Sequence, residues 1–260
     1  MTDSAADDFL RWALPKLGLR WSGYLRVRQR ACKRIAKRLR ELNITSLPGY
    51  REHLAAHPEE WRVLDGLCRI VVSRLYRDPP AWQRLRDETL PALAQRAEGS
   101  GRSHLDAWSV GCACGEEPWT LTVLWQRELA AQYPSIELRV LATDADPRVL
   151  RRASEAIYPA SSFRSAPADW RTPGSQDAPF EAAAGGYRLR AAYRNRVAFA
   201  CQDVRETMPA GPFDLILCRN MAFTYFEPGL QARIATELQA RLRPAGSLVI
   251  GRHEQLPGSE

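Results

Sequence analysis

From Asp8 to about Ala97 apolar positions recur every three or four residues, as at Cys32, Ile35 and Leu39, and glycines are few. This period predicts a helical first region of three or four helices. Thr45-Ser-Leu-Pro-Gly49 and His57-Pro58 interrupt the pattern, and Asp78-Pro-Pro80 reads as the cap and first turn of another helix. Glu98-Gly-Ser-Gly-Arg-Ser103 is the clearest loop signal. After it the pattern changes to short apolar runs alternating with amphipathic stretches, which predicts strands over 105–110, 138–143, 197–201, 215–218 and 247–250 and helices over 117–132, 147–156 and 228–242. Short apolar strands flanked by helices are covered on both faces, so the fold class is α/β with a mostly parallel, doubly wound sheet. Residues 158–193 fit neither period and are rich in Ala, Pro, Ser and Gly, which marks an inserted segment or subdomain. The expected organisation is therefore a helical domain over 1–97 and an α/β domain over 98–260, with the insertion at about 158–193.

Composition narrows this picture in three ways. A chain of 260 residues with 45% hydrophobic side chains can bury a substantial core. No stretch reaches the length and apolarity of a membrane span, and the first eight residues lack the basic and then apolar start of a signal peptide, so a cytoplasmic protein without membrane insertion is expected. The six cysteines are scattered, and Cys112 and Cys114 stand one residue apart, closer than the spacing of common zinc knuckles. Reduced thiols and no metal site are expected.

The net charge of +7 invites a polyanionic partner, and much of it lies in Arg26-Val-Arg-Gln-Arg-Ala-Cys-Lys-Arg-Ile-Ala-Lys-Arg-Leu-Arg40. No aromatic interleaving or nucleic-acid motif accompanies these cations, so nucleic acid is not the expected partner. An acidic protein segment and a solvated helix face both remain open.

The candidate chemistry follows the first strand. In Trp108-Ser-Val-Gly-Cys-Ala-Cys-Gly-Glu-Glu-Pro118, Gly111 and Gly115 let the backbone turn sharply and approach a ligand before a helix opens at the paired glutamates. The spacing is not that of a dinucleotide fingerprint, and no Gly-Lys-Ser/Thr follows for a phosphate loop. Two carboxylates would repel phosphate and suit a cationic amine, which S-adenosylmethionine carries. Ala142-Thr-Asp144 places an acid at the end of the second strand, where it can accept from both ribose hydroxyls. Asp203, before Val204 and after the next strand, could receive the adenine amino group. Arg219 and Asn220 follow the fourth strand as a floor for cofactor or substrate, with a satisfied strand-to-helix turn as the alternative.

These residues resemble the chemotaxis receptor methyltransferases of the CheR type, which are protein-glutamate O-methyltransferases. The likeness runs through Ser73-Arg-Leu-Tyr-Arg77, the 108–118 segment, Ala142-Thr-Asp-Ala-Asp146, Ala156-Ile-Tyr158, the stretch 213–220, Tyr225-Phe226 and Leu242-Arg-Pro-Ala-Gly246. It implies a Rossmann-like class I methyltransferase fold, a helical amino-terminal domain and a small inserted β subdomain. It also implies S-adenosylmethionine as cofactor, S-adenosylhomocysteine as its product, and a receptor methylation helix as partner. By the same resemblance Ser73, Arg77, Glu117, Asp144, Asp203, Arg219 and Asn220 line the cofactor site, with Gly111 and Val204 beside them. Arg77 and Tyr225 take the catalytic positions, next to the transferred methyl and the acceptor.

Three departures stand out. The family pattern has five residues from Asn through Tyr, whereas Asn220-Met-Ala-Phe-Thr-Tyr225 has six, which displaces or re-aims the tyrosine. The proline-rich insertion lacks the family's usual run of helix and strand. Gly251-Arg-His-Glu-Gln-Leu-Pro257 arrives where the family continues into further strands, so its last antiparallel hairpin is expected to be missing or trimmed. The first two leave a small-molecule acceptor as the alternative to protein glutamate.

Overall fold

The computed structural model describes residues 3–172 and 174–258. Its chain forms two compact units, one made of Met1–Val71, Asn220–Arg233 and Leu256–Glu260, the other of Val72–Arg219 and Ile234–Gln255.

The first unit is helical, with helices Asp3–Ala13, Trp21–Tyr24, Arg28–Glu41, Leu47–Ala56 and Glu60–Cys68. Local chemistry sets their ends. Gly18 and Asn43 take left-handed conformations that stop the preceding turns, and the Ser46 hydroxyl accepts from the Gly49 amide at 3.1 Å. Ala31, Ile35 and Leu39 of the basic helix are buried, as are Phe9, Leu10, Tyr50, Leu54 and Leu64. Glu60 is buried too, where it accepts from Arg38 Nε and Nη2 at 2.9 and 2.7 Å and from the Tyr50 hydroxyl at 2.8 Å. That arrangement ties three helices together through one carboxylate.

Residues 220–233 complete this unit. Leu19 and Phe226 form an antiparallel bridge, and the Arg20 guanidinium donates to the carbonyls of Thr224 at 3.0 Å and Phe223 at 2.6 Å. Gly23 permits the approach, since a side chain there would run into the Thr224 carbonyl.

The second unit carries the sheets. Its strands are β1 (His104–Val110), β2 (Glu137–Asp144), β3 (Ile157–Tyr158), β4 (Phe180–Ala183), β5 (Gly186–Leu189), β6 (Val197–Cys201), β7 (Phe213–Cys218) and β8 (Leu242–Ile250). The main sheet has the order β6-β2-β1-β7-β8, and every neighbouring pair is parallel. The chain moves outward from β1 to β2 and β6, then returns to the other side of β1 for β7 and β8. Ligands of such sheets bind outside the carboxyl ends at this switch. All six residues of β7 are buried, including Asp214, which accepts from Arg102 at 2.9 and 3.0 Å and from the Asp106 amide at 2.9 Å.

The five expected strands are all present, and the α/β class holds. Several details differ. Among the described residues seven α-helical segments replace the three or four expected before residue 100, partly because Gly18 and Asn43 interrupt the chain and a π turn, Leu85–Thr89, divides Pro79–Arg84 from Leu90–Gly99. Two of them, Pro79–Arg84 and Leu90–Gly99, belong to the sheet-bearing unit. The helix expected over 117–132 runs as an α-helix from Glu116 to Leu124 and continues as a π turn, Trp125–Leu129. Leu242 starts β8 instead of ending the helix Pro228–Ala240. The inserted segment is not devoid of strands, since β3, β5 and β4 form an antiparallel sheet in that order around buried Phe163, Trp170 and Phe180. Among the described residues, no helix is long and apolar enough to cross a membrane.

The Glu60 carboxyl lies below its ordinary value, chiefly through the Arg38 hydrogen bonds, with Tyr50 adding to the effect against the opposing cost of burial. A lowered acid stabilises the fold above the ordinary carboxylate range, and that contribution is lost as pH falls through the folded-state value. Glu60→Gln is expected to cost about 2 kcal/mol at pH 7. Denaturant titrations of both proteins should show the deficit shrinking below about pH 4.

Candidate functional site

The loop that leaves β1 is a run of left-handed turns, with Gly111 at φ 66°, Ala113 at 51° and Gly115 at 86°. Its backbone is fastened at both ends. The Cys112 amide donates to the Thr143 carbonyl at 2.9 Å, and the Gly115 amide donates to the Cys112 carbonyl at 2.9 Å. Gly115 has no room for a side chain, since a Cβ there would lie 2.8 Å from that of Ala153. The loop delivers its last turn into the helix Glu116–Leu124, whose first two residues are the paired glutamates.

Asp144 closes β2 beside this loop. Its Oδ2 accepts from the Ala113 amide at 3.0 Å and its Oδ1 from the Asp146 amide at 2.9 Å, which fixes the carboxylate's rotamer against the loop. β6 lies next to β2, with Cys201 opposite Asp144, and the Gln202 amide donates to the Asp144 carbonyl at 3.0 Å. Asp203 and buried Val204 thus follow at the neighbouring strand end. The Asp203 carboxylate is gripped by Arg205, with 2.6 Å between Oδ2 and Nη2.

The two glutamates have different surroundings. Glu116 is buried, and its Oε2 has no hydrogen-bond partner, so burial pushes its carboxyl above the ordinary value. Glu117 accepts from the Ser109 hydroxyl at 2.8 Å and from Arg219 Nη1 at 3.3 Å. Burial raises the Glu117 carboxyl as well, while Arg219, Ser109 and Arg77 pull it back toward the charged form. The Arg219 side chain is only 2% exposed. Its Nη2 donates to the Asp78 carboxylate at 3.0 Å and to the Arg77 carbonyl at 2.9 Å, and its guanidinium lies over the Trp82 ring at 5.2 Å.

The structure therefore brings Glu117, Arg219 and the backbone of Arg77 into one network, with Asp144 and Asp203 at the adjacent strand ends. Ser73 is the second residue of the same unit, and its hydrogen bond to Glu116 opposes part of the rise that burial gives that carboxyl. Arg77 Nη1 donates to the Val72 carbonyl at 3.1 Å. Asn220 and Tyr225 belong to the helical unit. There Asn220 is left-handed at φ 56°, and the Tyr225 ring meets Tyr24 edge-on at 5.5 Å.

Sequence reasoning missed Asp78, Ser109, Trp82 and Arg205. Asp78 reads as a helix cap, yet its side chain makes no cap hydrogen bond and serves Arg219 instead. The one local signal was its place before two prolines, which reports the turn and not the partner.

As a ligand site this strand end is rich in fixed acceptors and, among the described residues, offers no lysine for phosphate. Arg219 and Arg205 are already bound to carboxylates. Such a set fits a ligand that brings its own cationic amine, a ribose diol and a base amine, as S-adenosylmethionine does. Glu117 would take the amine and Asp144 the ribose.

Residues 71–260 match the model of the family described as CheR methyltransferase, SAM binding domain. The chain is 30% identical over 226 residues to a probable biofilm formation methyltransferase, WspC, of Pseudomonas aeruginosa, covering 85% of this chain and 50% of that protein. It is 29% identical over 190 residues to a chemotaxis protein methyltransferase of Listeria monocytogenes, covering 73% of this chain and 67% of the relative. It is also 29% identical over 227 residues to an uncharacterized 104.1 kDa protein from the hypE 3' region of Rhodobacter capsulatus, covering 86% of this chain. The chain spans 23% of that last relative's length.

Removing the guanidinium from this network leaves two buried or half-buried carboxylates without their shared cation. Arg219→Leu is expected to cost about 3–5 kcal/mol. Arg219→Lys keeps the charge and loses the fork, so it should recover only part of that loss in the same denaturant titration.

Proposed function

The chain belongs to the CheR methyltransferase family through its S-adenosylmethionine-binding domain, and on that premise we propose that it methylates glutamate side chains of an acidic protein segment. The observation that carries this choice of acceptor is a stripe of cations. Arg30, Lys33, Lys37 and Arg40 are exposed at three- and four-residue spacing along the helix Arg28–Glu41, with exposed Arg26 just before it. The opposite face of that helix is buried through Ala31, Ile35 and Leu39. A row of cations on a single helix face complements an acidic helix and speeds its encounter. The name of the Listeria relative, a chemotaxis protein methyltransferase, agrees with a receptor methylation helix as that segment.

The bound cofactor supplies an electrophilic methyl group on a sulfonium. A glutamate acceptor has an ordinary pKa of about 4.3 and is already ionised at neutral pH, so the protein needs no strong general base. What the residues supply is position. Glu117 would hold the amino group, Asp144 the ribose and Asp203 the adenine amine, with Arg219 donating to Glu117. Arg77 orients the acceptor carboxylate as a planar fork. Holding nucleophile and methyl in line while excluding water supplies several kcal/mol of the barrier reduction, roughly.

Two measurements test this reading. Incubating the protein with radiolabelled S-adenosylmethionine and a cell lysate should place label in base-labile esters of the macromolecular fraction; label confined to small molecules would overturn the protein acceptor in favour of a small one. Calorimetry with S-adenosylhomocysteine should show binding by the wild type and a loss of about 1–3 kcal/mol in Asp144→Ala.

A further inference from the structure

The Asp203 carboxylate is not simply an acid at a strand end. Its Oδ1 accepts from the Arg205 amide at 3.0 Å and from Arg205 Nε at 2.9 Å, and its Oδ2 accepts from Nη2 at 2.6 Å. Both side chains are largely buried, 19% exposed for Arg205 and 14% for Asp203. The Asp203 carbonyl also accepts from the amides of Glu206 and Thr207, each at 2.9 Å, so the turn itself is rigid. The Gln202 amide fastens that turn to the end of β2, beside Asp144.

A planar fork that meets both oxygens fixes a carboxylate's plane as well as its charge. A carboxylate held this way by donors on both oxygens presents acceptors to a ligand and cannot turn to suit a different one. The distinction matters for a purine. A 6-amino group presents N–H donors to such a carboxylate, whereas a 6-oxo group presents an acceptor and meets repulsion.

We propose that Arg205 is a positioning residue for the cofactor's base, acting through Asp203, and that selectivity for a 6-aminopurine over a 6-oxopurine depends on it. The proposal rests on the reading that Asp203 receives the adenine amine. A purely structural role for Arg205 would weaken all ligands equally. A positioning role changes the ratio between ligands.

The test is calorimetry with S-adenosylhomocysteine and its 6-oxo analogue S-inosylhomocysteine. The wild type should prefer the adenosyl compound by about 10- to 100-fold, the range of a hydrogen bond to a charged group. In Arg205→Ala the preference should fall to within about threefold, mainly through weaker adenosyl binding, while Arg205→Lys should sit between the two. An unchanged ratio in Arg205→Ala would overturn the proposal. Should that variant fail to fold, Arg205→Gln carries the same comparison. Asp203→Ala separates the two levels: if it abolishes the preference and Arg205→Ala does not, only the role of Arg205 falls. If Asp203→Ala keeps the preference, or the wild type shows none, Asp203 is not the adenine partner and both readings fall.

Discussion

The sheet-bearing unit depends on one buried cation at the carboxyl end of its central strands. Removing a guanidinium from water costs several kcal/mol, and an arginine 2% exposed is tolerable only where carboxylates and carbonyls replace its hydration. Around Arg219 those replacements come from distant parts of the chain: Glu117 from the helix after β1, and Asp78 and the Arg77 carbonyl from the segment before the helix Pro79–Arg84. The cation therefore acts as a junction. It sets where the acid of the glycine loop points and where the Ser73–Arg77 segment runs, and each is held less firmly without the others.

The same junction explains backbone that would otherwise be costly. Tyr76 at φ 56° and Asp78 at φ 62° both occupy the left-handed region without being glycine, at a cost of about 1–2 kcal/mol each. The bonds on either side compensate. The Tyr76 amide donates to the Thr120 hydroxyl at 2.9 Å, and the Trp82 indole and Arg219 both donate to the Arg77 carbonyl. Arg77 is thereby presented from a turn whose neighbours on both sides are over-determined. At the opposite end of β7, Asp214 repeats the device with charges reversed, gripped by Arg102 and flanked by Arg243. Ionic anchors near both ends of a fully buried strand fix its register more tightly than interchangeable apolar side chains can.

How much of this was legible in the sequence follows from how local each signal is. Asp144 and Asp203 could be singled out as candidates because a strand followed by an acid is visible within a few residues, whereas Glu117 was preferred over its neighbour only through the family resemblance. The sheet was legible for the same reason, since buried parallel strands are short apolar runs. Asp78 was not legible as a partner, because its meaning lies 141 residues away in Arg219. Arg205 stands two residues from its aspartate, yet nothing in a sequence separates a gripping arginine from a solvated one. The β3-β5-β4 sheet escaped because strands of two and four residues carry too few alternations to show a period. Pro79–Arg84 and Leu90–Gly99 were legible as helices, but periodicity does not report which unit a helix packs on.

An acid-rich strand end raises a question of charge for any anionic acceptor. Burial pushes the Cys112 thiol well above its ordinary value, with Asp144 and Glu117 adding to the effect, and holds the Cys114 thiol at about 11. Both sulfurs are therefore protonated and poor nucleophiles at neutral pH. The smaller part of the rise at Cys112, which comes from the Asp144 and Glu117 carboxylates, favours cations and hydrogen-bond donors nearby, which suits a cationic cofactor and opposes a carboxylate. An anionic group at this strand end is therefore tolerable only beside a cation that offsets those carboxylates, as Arg219 is for Glu117 and Arg205 for Asp203.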